Sequence, residues 1–342
     1  MTSGESRVAL WVGCYTRDMG GSGEGILALA RDGDGGYEPL GPATPVASPS
    51  FLALHPSQPV IYAVSEGAEQ VHAFRHDDRG ALTQLGDPGA AGELACHVAV
   101  APDGAFLVVS CWGDGSVLAF ELEQDGSLGQ RHLGPASADP SDQGRQSRAH
   151  SCLMLGDGRI VTAEMGHDLL RFWNFSAERG LGPAGTVALP HGSGPRHFAR
   201  AANGRVYVNT EYSGEVAALV PSTDGWLELL GMFPASASGV QAGDAAAEIC
   251  LDPSERHLYV GVRGSNRICK LALDGEGLPQ PLEEFSCGGD WPRHHCFDGE
   301  RLVVALERSD ALATFTPGVE GGVLQPRQLL ATGSPTCLLP AR

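Results

Sequence analysis

Pro195-Arg-His-Phe-Ala-Arg-Ala-Ala-Asn-Gly204 reads as a proline, a short apolar-rich run and a turn, and the same phrase recurs along the whole chain. It stands at Pro49-Ser-Phe-Leu-Ala-Leu-His-Pro56, Ala95-Cys-His-Val-Ala-Val-Ala-Pro-Asp-Gly104, Ala149-His-Ser-Cys-Leu-Met-Leu-Gly-Asp-Gly158 and Ala246-Ala-Glu-Ile-Cys-Leu-Asp-Pro253. Pro292 and Pro335 open two shorter copies, and successive starts lie 46, 54, 46, 51, 46 and 43 residues apart. A period of this size marks a repeat architecture, so the repeat has to be read before any motif.

Inside each copy a second apolar run follows the turn, as at Val60–Val64, Phe106–Ser110, Ile160–Ala163, Val206–Asn209, His257–Val262 and Leu302–Leu306. A third follows a short polar gap, and an acid and glycine turn closes the unit at Asp78-Arg-Gly80, Asp125-Gly126, Glu178-Arg-Gly180, Asp224-Gly225, Asp274-Gly275 and Glu320-Gly-Gly322. Turn residues between β-rich runs of four to six residues are hairpin signals, and four such runs per repeat predict a propeller blade. Residues 7 to 40 supply a second strand (Val8–Val12), a third (Ile26–Leu29) and a turn at Asp34-Gly-Gly36, with no first strand. Pro335–Pro340 resembles a first strand alone. Joined, the two ends complete a seventh blade and hide both terminal edges. The expectation is an all-β, seven-bladed β-propeller of four-stranded blades, residues 1–342 forming one domain whose ring is closed by the C-terminal strand joining the N-terminal blade.

Composition agrees with such a fold. The 342 residues are 42% hydrophobic and 19% charged, with 47 Gly and 23 Pro, which supports a large core with many turns and excludes disorder and coiled coil. No stretch approaches the ~20 apolar residues of a membrane span, and the residues before Val8 lack the basic, apolar and cleavage regions of a secretory leader. A soluble, cytoplasmic protein is expected. Acidic residues number 41 against 23 basic, and the formal charge of −18 repels nucleic acid and anionic lipid. The nine Cys include no CxxC pair, so buried free thiols are expected in preference to a disulfide framework or a thiolate metal site.

In a propeller the first strand of each blade lines the central channel, and its start emerges on the same face as the end of the second strand. Ser50, Cys96, His150, Arg196, Ala247 with Glu248, Arg293 and Thr336 hold the first of these positions. Tyr15 with Thr16, Glu66, Trp112, Glu164, Glu211, Arg263 and Glu307 hold the second. Rim positions are polar by default because they are solvated. His, Arg and Glu recurring around a concave centre exceed that need and predict a site for a small anionic molecule. Two guanidinium forks hold an anion, while an imidazole and a carboxylate exchange protons near neutral pH, so His150, Arg196, Glu211 and Arg263 suit the opening of a lactone by water. His197, next to Arg196, is expected to point away into its blade, although it stands among the candidate substrate contacts with Tyr15, Glu66, Trp112, Glu164, Glu248, Arg293 and Glu307.

From Gly13-Cys-Tyr-Thr16 through Gly194-Pro-Arg-His197 and Val262-Arg-Gly264 to Gly333-Ser-Pro-Thr336, the chain resembles the seven-bladed propeller lactonase family. That family includes bacterial 6-phosphogluconolactonases and, more distantly, a fungal carboxymuconate lactonizing enzyme. The family pattern of a His opening one blade, Gly-Pro-Arg-His opening the next, a Glu after the following strand and an Arg-Gly a blade later is similar to His150, Gly194–His197, Glu211 and Arg263. The resemblance implies a cofactor-free, metal-independent site in which these four groups bind and turn over a lactone or its open acid. Thr210 and Val262 stand where the family has Asn, and Arg148 where a His often precedes the blade-three His. Tyr15, Trp112, His167 and Trp291 add a rim of their own.

The leading expectation is therefore a lactone hydrolase, with 6-phosphogluconolactone as first substrate and Glu211 or His150 as general base. A cycloisomerase acting on an unsaturated acid and a propeller that binds a ligand or protein without chemistry are the alternatives. A fourth, a Ca²⁺ or Zn²⁺ site built from Glu66, Glu164, Glu211, Glu248 and Glu307, conflicts with the neighbouring Arg196 and Arg263. The partner expected is a small anionic lactone or acid, with no nucleic acid and no membrane, on a monomer or weak homodimer.

Overall fold

A computed structural model describes residues 7–33, 35–316, 326 and 328–341. Seven antiparallel sheets form a closed ring. Counting blades from the first complete repeat, the inner strands are Phe51–Leu54, Ala95–Val100, Ala149–Gly156, Pro195–Arg200, Ala245–Leu251, Pro292–Asp298 and Pro335–Pro340. Each pairs with a second strand, in the same order Val60–Ser65, Phe106–Cys111, Arg159–Glu164, Val206–Thr210, His257–Arg263, Arg301–Leu306 and Leu10–Cys14. Two further strands follow in every blade, and blade one adds a short fifth, Gly89–Ala90, against Gln70–His76. Of the turns expected from sequence, Asp34 and Glu320–Gly322 lie outside the described residues. Among the described residues, helix is confined to the 3₁₀ turns Arg17–Met19 and Glu307–Ser309, and no helix is long and apolar enough to cross a membrane.

The alternation of the strands gives each sheet two apolar faces, and each face packs on the next blade. Val60, Tyr62 and Val64 of blade one meet Val98, Leu107 and Val109 of blade two, and Val206, Val208 and Leu219 of blade four meet Val161, Leu170 and Phe172 of blade three. Each of the seven buried apolar clusters lies between two neighbouring blades. Blade seven is closed by Pro335–Pro340 pairing with Leu10–Cys14, from Leu10 opposite Pro340 to Cys14 opposite Pro335. Deleting residues 335–342 removes an inner strand and the buried Cys337 and Leu338. The truncated chain is expected to melt at least ~10 °C lower by calorimetry, since each kcal/mol shifts the midpoint of a large domain by a few degrees; an unchanged midpoint would show that the strand does not fasten the ring.

A recurring irregularity sets the site. As six of the seven inner strands begin, the register slips by one residue: Ala95 faces Cys111 but His97 faces Ser110, and Pro195 faces Thr210 but Phe198 faces Val208. The same slip occurs at Ala149/Cys152, Ala246/Ile249, Pro292/His294 and, at Gly13/Cys14, against Pro335. Such a bulge re-aims side chains, so two consecutive residues of the inner strand turn toward the channel. The residue leading into the strand adopts left-handed φ at Ser48, Leu94, Gly194, Trp291 and Ser334, and only Gly194 does so without a Cβ.

Candidate functional site

The residue that follows each second strand is anchored by a backbone bond from its N–H to the carbonyl just before the inner strand. Glu66 donates to Ser48 at 3.1 Å, Trp112 to Leu94 at 2.9 Å, Met165 to Arg148 at 2.8 Å, Glu211 to Gly194 at 2.7 Å, Glu307 to Trp291 at 3.1 Å and Tyr15 to Ser334 at 3.0 Å. With Arg263 in the matching register of blade five, these residues form the outer ring of the channel mouth. Below them lies a ring of Ser50, Cys96, His150, Arg196, Ala247, Arg293 and Thr336. The bulges add a third, deeper ring of Phe51, His97, Ser151, His197, Glu248, His294 and Cys337.

Three members of the expected quartet meet directly. Glu211 Oε2 lies 2.9 Å from Arg196 Nε and 2.7 Å from Arg263 Nη2. Arg196, 1% exposed, also donates through Nη1 to the Ala247 carbonyl, and Arg263 donates through Nε to the Ala245 carbonyl at 3.3 Å. Burial would raise the Glu211 carboxyl, but Arg263, Arg196 and Arg293 outweigh it and hold the group below its usual range. Arg196 is pushed down to about 9 by burial, with Arg293 and Arg263 acting in the same direction. No described hydrogen bond takes Arg196 Nη2 or Arg263 Nη1, so each fork keeps donors for an incoming oxygen.

Across the mouth, Arg293 Nη2 donates to Tyr15 Oη at 3.0 Å, Tyr15 Oη donates to Glu66 Oε1 at 3.3 Å, and Arg293 Nε stands 3.7 Å from Glu307 Oε2. Burial opposes the Arg293 charge, yet Tyr15, Glu307, Glu66 and Glu211 hold it above its ordinary value. Burial lifts the Glu66 carboxyl above the usual range, with Arg293 opposing. Glu66 Oε2 and His150 Nδ1 are both buried without a protein partner. At these channel positions the two atoms are free to pair with an incoming polar molecule.

His150 belongs with this group through its neighbours. Its ring lies 5.0 Å from that of His197, and burial followed by Arg196 drives its imidazole well below the ordinary value, so it is neutral at pH 7. His197 does not point into its blade. The bulge at Arg196–His197 turns it into the channel, where Nδ1 meets Glu248 Oε2 at 2.6 Å and the ring lies 5.7 Å from Phe51. His294 Nε2 reaches the same carboxylate oxygen at 3.0 Å, and His97 stacks 4.2 Å from Phe51. Phe51, His97 and His294 were not anticipated; the signal was a His recurring at the second inner-strand position in blades two, four and six. The role of core histidine falls to His295, whose Nε2 lies 3.1 Å from the Tyr259 carbonyl.

Two carboxylates leave the rim. Glu248 sits in the deep ring among the histidines, where Oε1 accepts from the Ile249 N–H at 3.0 Å. Glu164 faces Ala149 one residue short of the ring position, which Met165 fills. Its oxygens accept instead from Ser147 Oγ at 2.7 Å and the Arg148 N–H at 2.5 Å, which fixes the turn into blade three. His167 is also diverted, with Ser137 Oγ and the Arg145 carbonyl each 2.8 Å from its ring nitrogens. Of the five carboxylates weighed as a cation cage, Glu211 and Glu307 face guanidinium groups and Glu248 faces imidazoles. Among the described residues, no three His, Cys, Asp or Glu come together as metal ligands.

Comparison with known proteins agrees with this architecture. The family described as lactonase, 7-bladed beta-propeller matches residues 9–340. A 6-phosphogluconolactonase of Formosa agariphila is 28% identical over 95% of this chain and 97% of its own, and one of Bacillus subtilis is 27% identical over 92% of each. Among solved structures, the periplasmic gluconolactonase PpgL of Pseudomonas aeruginosa superposes with a TM-score of 0.89 at 28% identity, covering 98% of this chain and 99% of that one.

Proposed function

Because the chain belongs to the lactonase family of seven-bladed β-propellers, we propose that it opens a sugar lactone by hydrolysis, with 6-phosphogluconolactone the first candidate. The observation that carries this reading is the cluster at one mouth of the ring. Two guanidinium groups converge on Glu211 there, beside a neutral buried imidazole with an unpartnered nitrogen. The named activities of the Formosa, Bacillus and Pseudomonas relatives support it.

In this reading the lactone carbonyl oxygen lies against the unspent N–H groups of Arg196 and Arg263. They receive the negative charge that forms when water adds to the carbonyl carbon. His150 takes a proton from that water through Nδ1. It delivers the proton to the ring oxygen as the carbon–oxygen bond breaks, so one imidazole serves as base and then acid. Glu211 is engaged by both guanidinium groups through Oε2, and its task is to position both forks. Tyr15, Glu66, Arg293 and Glu307 offer donors and acceptors for the sugar hydroxyls on the other side.

His150→Ala is expected to lower kcat on gluconolactone or 6-phosphogluconolactone at least ~100-fold, the lower end of what general acid–base catalysis contributes. Because the His150 pKa is depressed, wild-type activity should persist below pH 6.5, with its acid limb displaced toward lower pH. Turnover is expected to be unaffected by EDTA. Pure protein that hydrolyses neither lactone would end the reading.

A further inference from the structure

Each buried guanidinium group of the channel is held by a carboxylate: Arg196 and Arg263 share Glu211, and Arg293 is held by Glu307 and, through Tyr15, by Glu66. These sets suit the uncharged lactone ring and its hydroxyls. The donors that Arg196 and Arg263 keep are taken by the lactone carbonyl oxygen, so a phosphate, which must also approach a chain of net charge −18, calls for a further cation. The cation for such a group has to stand elsewhere on the same mouth.

Arg148 meets that requirement. It precedes Ala149 and His150, and its carbonyl anchors Met165 of the outer ring, which puts its backbone at the position Gly194 holds one blade later. Its guanidinium lies over Trp112 of the outer ring, with Cζ 3.7 Å from the ring centroid. Nη1 donates to the Trp112 carbonyl at 3.1 Å, and Nη2 donates to Gln146 Oε1 at 2.7 Å. Gln146 is held in turn by its Nε2 on the Gly113 carbonyl at 2.9 Å. All of these partners are neutral. Two of five N–H donors are spent on fixing the fork, three remain, and Arg148 makes no ion pair among the described residues. A guanidinium oriented by stacking and by carbonyls, with its charge unpaired, is prepared for a doubly charged oxyanion. Arg308 also stacks on a tryptophan, at 3.3 Å from Trp291, but it shares its pocket with Glu307 and Asp310, which repel an anion.

We infer that Arg148, seated on Trp112, is a phosphate-binding residue at the channel mouth and selects a phosphorylated sugar lactone over its unphosphorylated counterpart. This rests on the lactonase reading above, and the experiment separates the two. Wild type, Arg148→Ala, Arg148→Lys and Arg308→Ala are assayed for kcat/KM on 6-phosphogluconolactone and on gluconolactone. Binding of 6-phosphogluconate and of gluconate is measured in parallel by calorimetry. Wild type is expected to favour the phosphorylated lactone. Arg148→Ala should cut the ratio of the two kcat/KM values at least ~30-fold, within the range of a charge-assisted hydrogen bond lost. Arg148→Lys should keep part of the ratio, and Arg308→Ala should leave it within about threefold. A wild type without preference for phosphate, a ratio unmoved by Arg148→Ala, or a loss that appears in Arg308→Ala instead would overturn the inference. If neither lactone is turned over, the lactonase reading fails, and calorimetry decides alone. Tighter binding of 6-phosphogluconate than of gluconate, abolished by Arg148→Ala, supports the phosphate site, and equal binding of the two refutes it.

Discussion

Arg196→Ala is expected to lower kcat on a sugar lactone by at least ~100-fold, the cost of one lost oxyanion donor, while KM changes far less. The split follows from where the group sits. The unspent Nη2 is matched to charge that exists in the transition state and only weakly in the bound lactone. The same substitution has a structural cost. It strips the Ala247 carbonyl of its donor and leaves Glu211 with Arg263 alone, and breaking a buried pair costs roughly 3–5 kcal/mol. Kinetics therefore have to be read on protein whose circular dichroism and melting show an intact ring. Arg196→Lys separates the two effects. A lysine restores positive charge beside Glu211 and so recovers stability, but its ammonium cannot reproduce the planar fork and should recover little of kcat. Folded Arg196→Ala protein with kcat within tenfold of wild type would remove Arg196 from the chemistry.

The ring was legible because a propeller repeats its turns. Asp125-Gly126, Asp224-Gly225 and Asp274-Gly275 each punctuate a blade, and the two incomplete ends of the chain complement each other. The mouth was legible too, since strand ends fall at countable positions, and Arg196, Glu211 and Arg263 meet as that counting implies. What stayed hidden was the bulge. Alternation with a period of two puts Arg196 and His197 on opposite faces, and one inserted residue brings both to the channel. Where a left-handed residue precedes a bulge it is Leu94, Trp291 or Ser334 as readily as Gly194, so no glycine signature advertises it. Glu164 misled for a related reason. Its type matches the ring carboxylates, but its register with Ala149 places it one residue early.

The channel histidines carry the second large effect, a steep loss of stability in mild acid. Burial is the main cause that depresses His97, His150 and His197 well below their ordinary value of 6.5 and His294 to about 3. Arg196 adds to it for the first three. At His294, Glu248 pulls the other way and His197 adds to the depression. In the unfolded chain the same imidazoles titrate near 6.5. Below that pH the unfolded state binds protons that the folded state refuses, so stability is fully present above 6.5 and drains away as pH falls toward the folded values. Several such groups acting together draw on a large share of a typical domain's stability. The carboxylates cannot imitate this window. The depressed Glu211 withdraws its contribution only below about 4.5, and Glu66, raised by burial, acts with the opposite sign. Urea titrations at pH 6.5, 6.0 and 5.5 should show the midpoint falling steadily, and His97→Gln should flatten the slope. A folding free energy that stays level across this interval would mean that the histidines under the mouth are solvated or charged, and the low-pKa imidazole assigned to His150 would go with them.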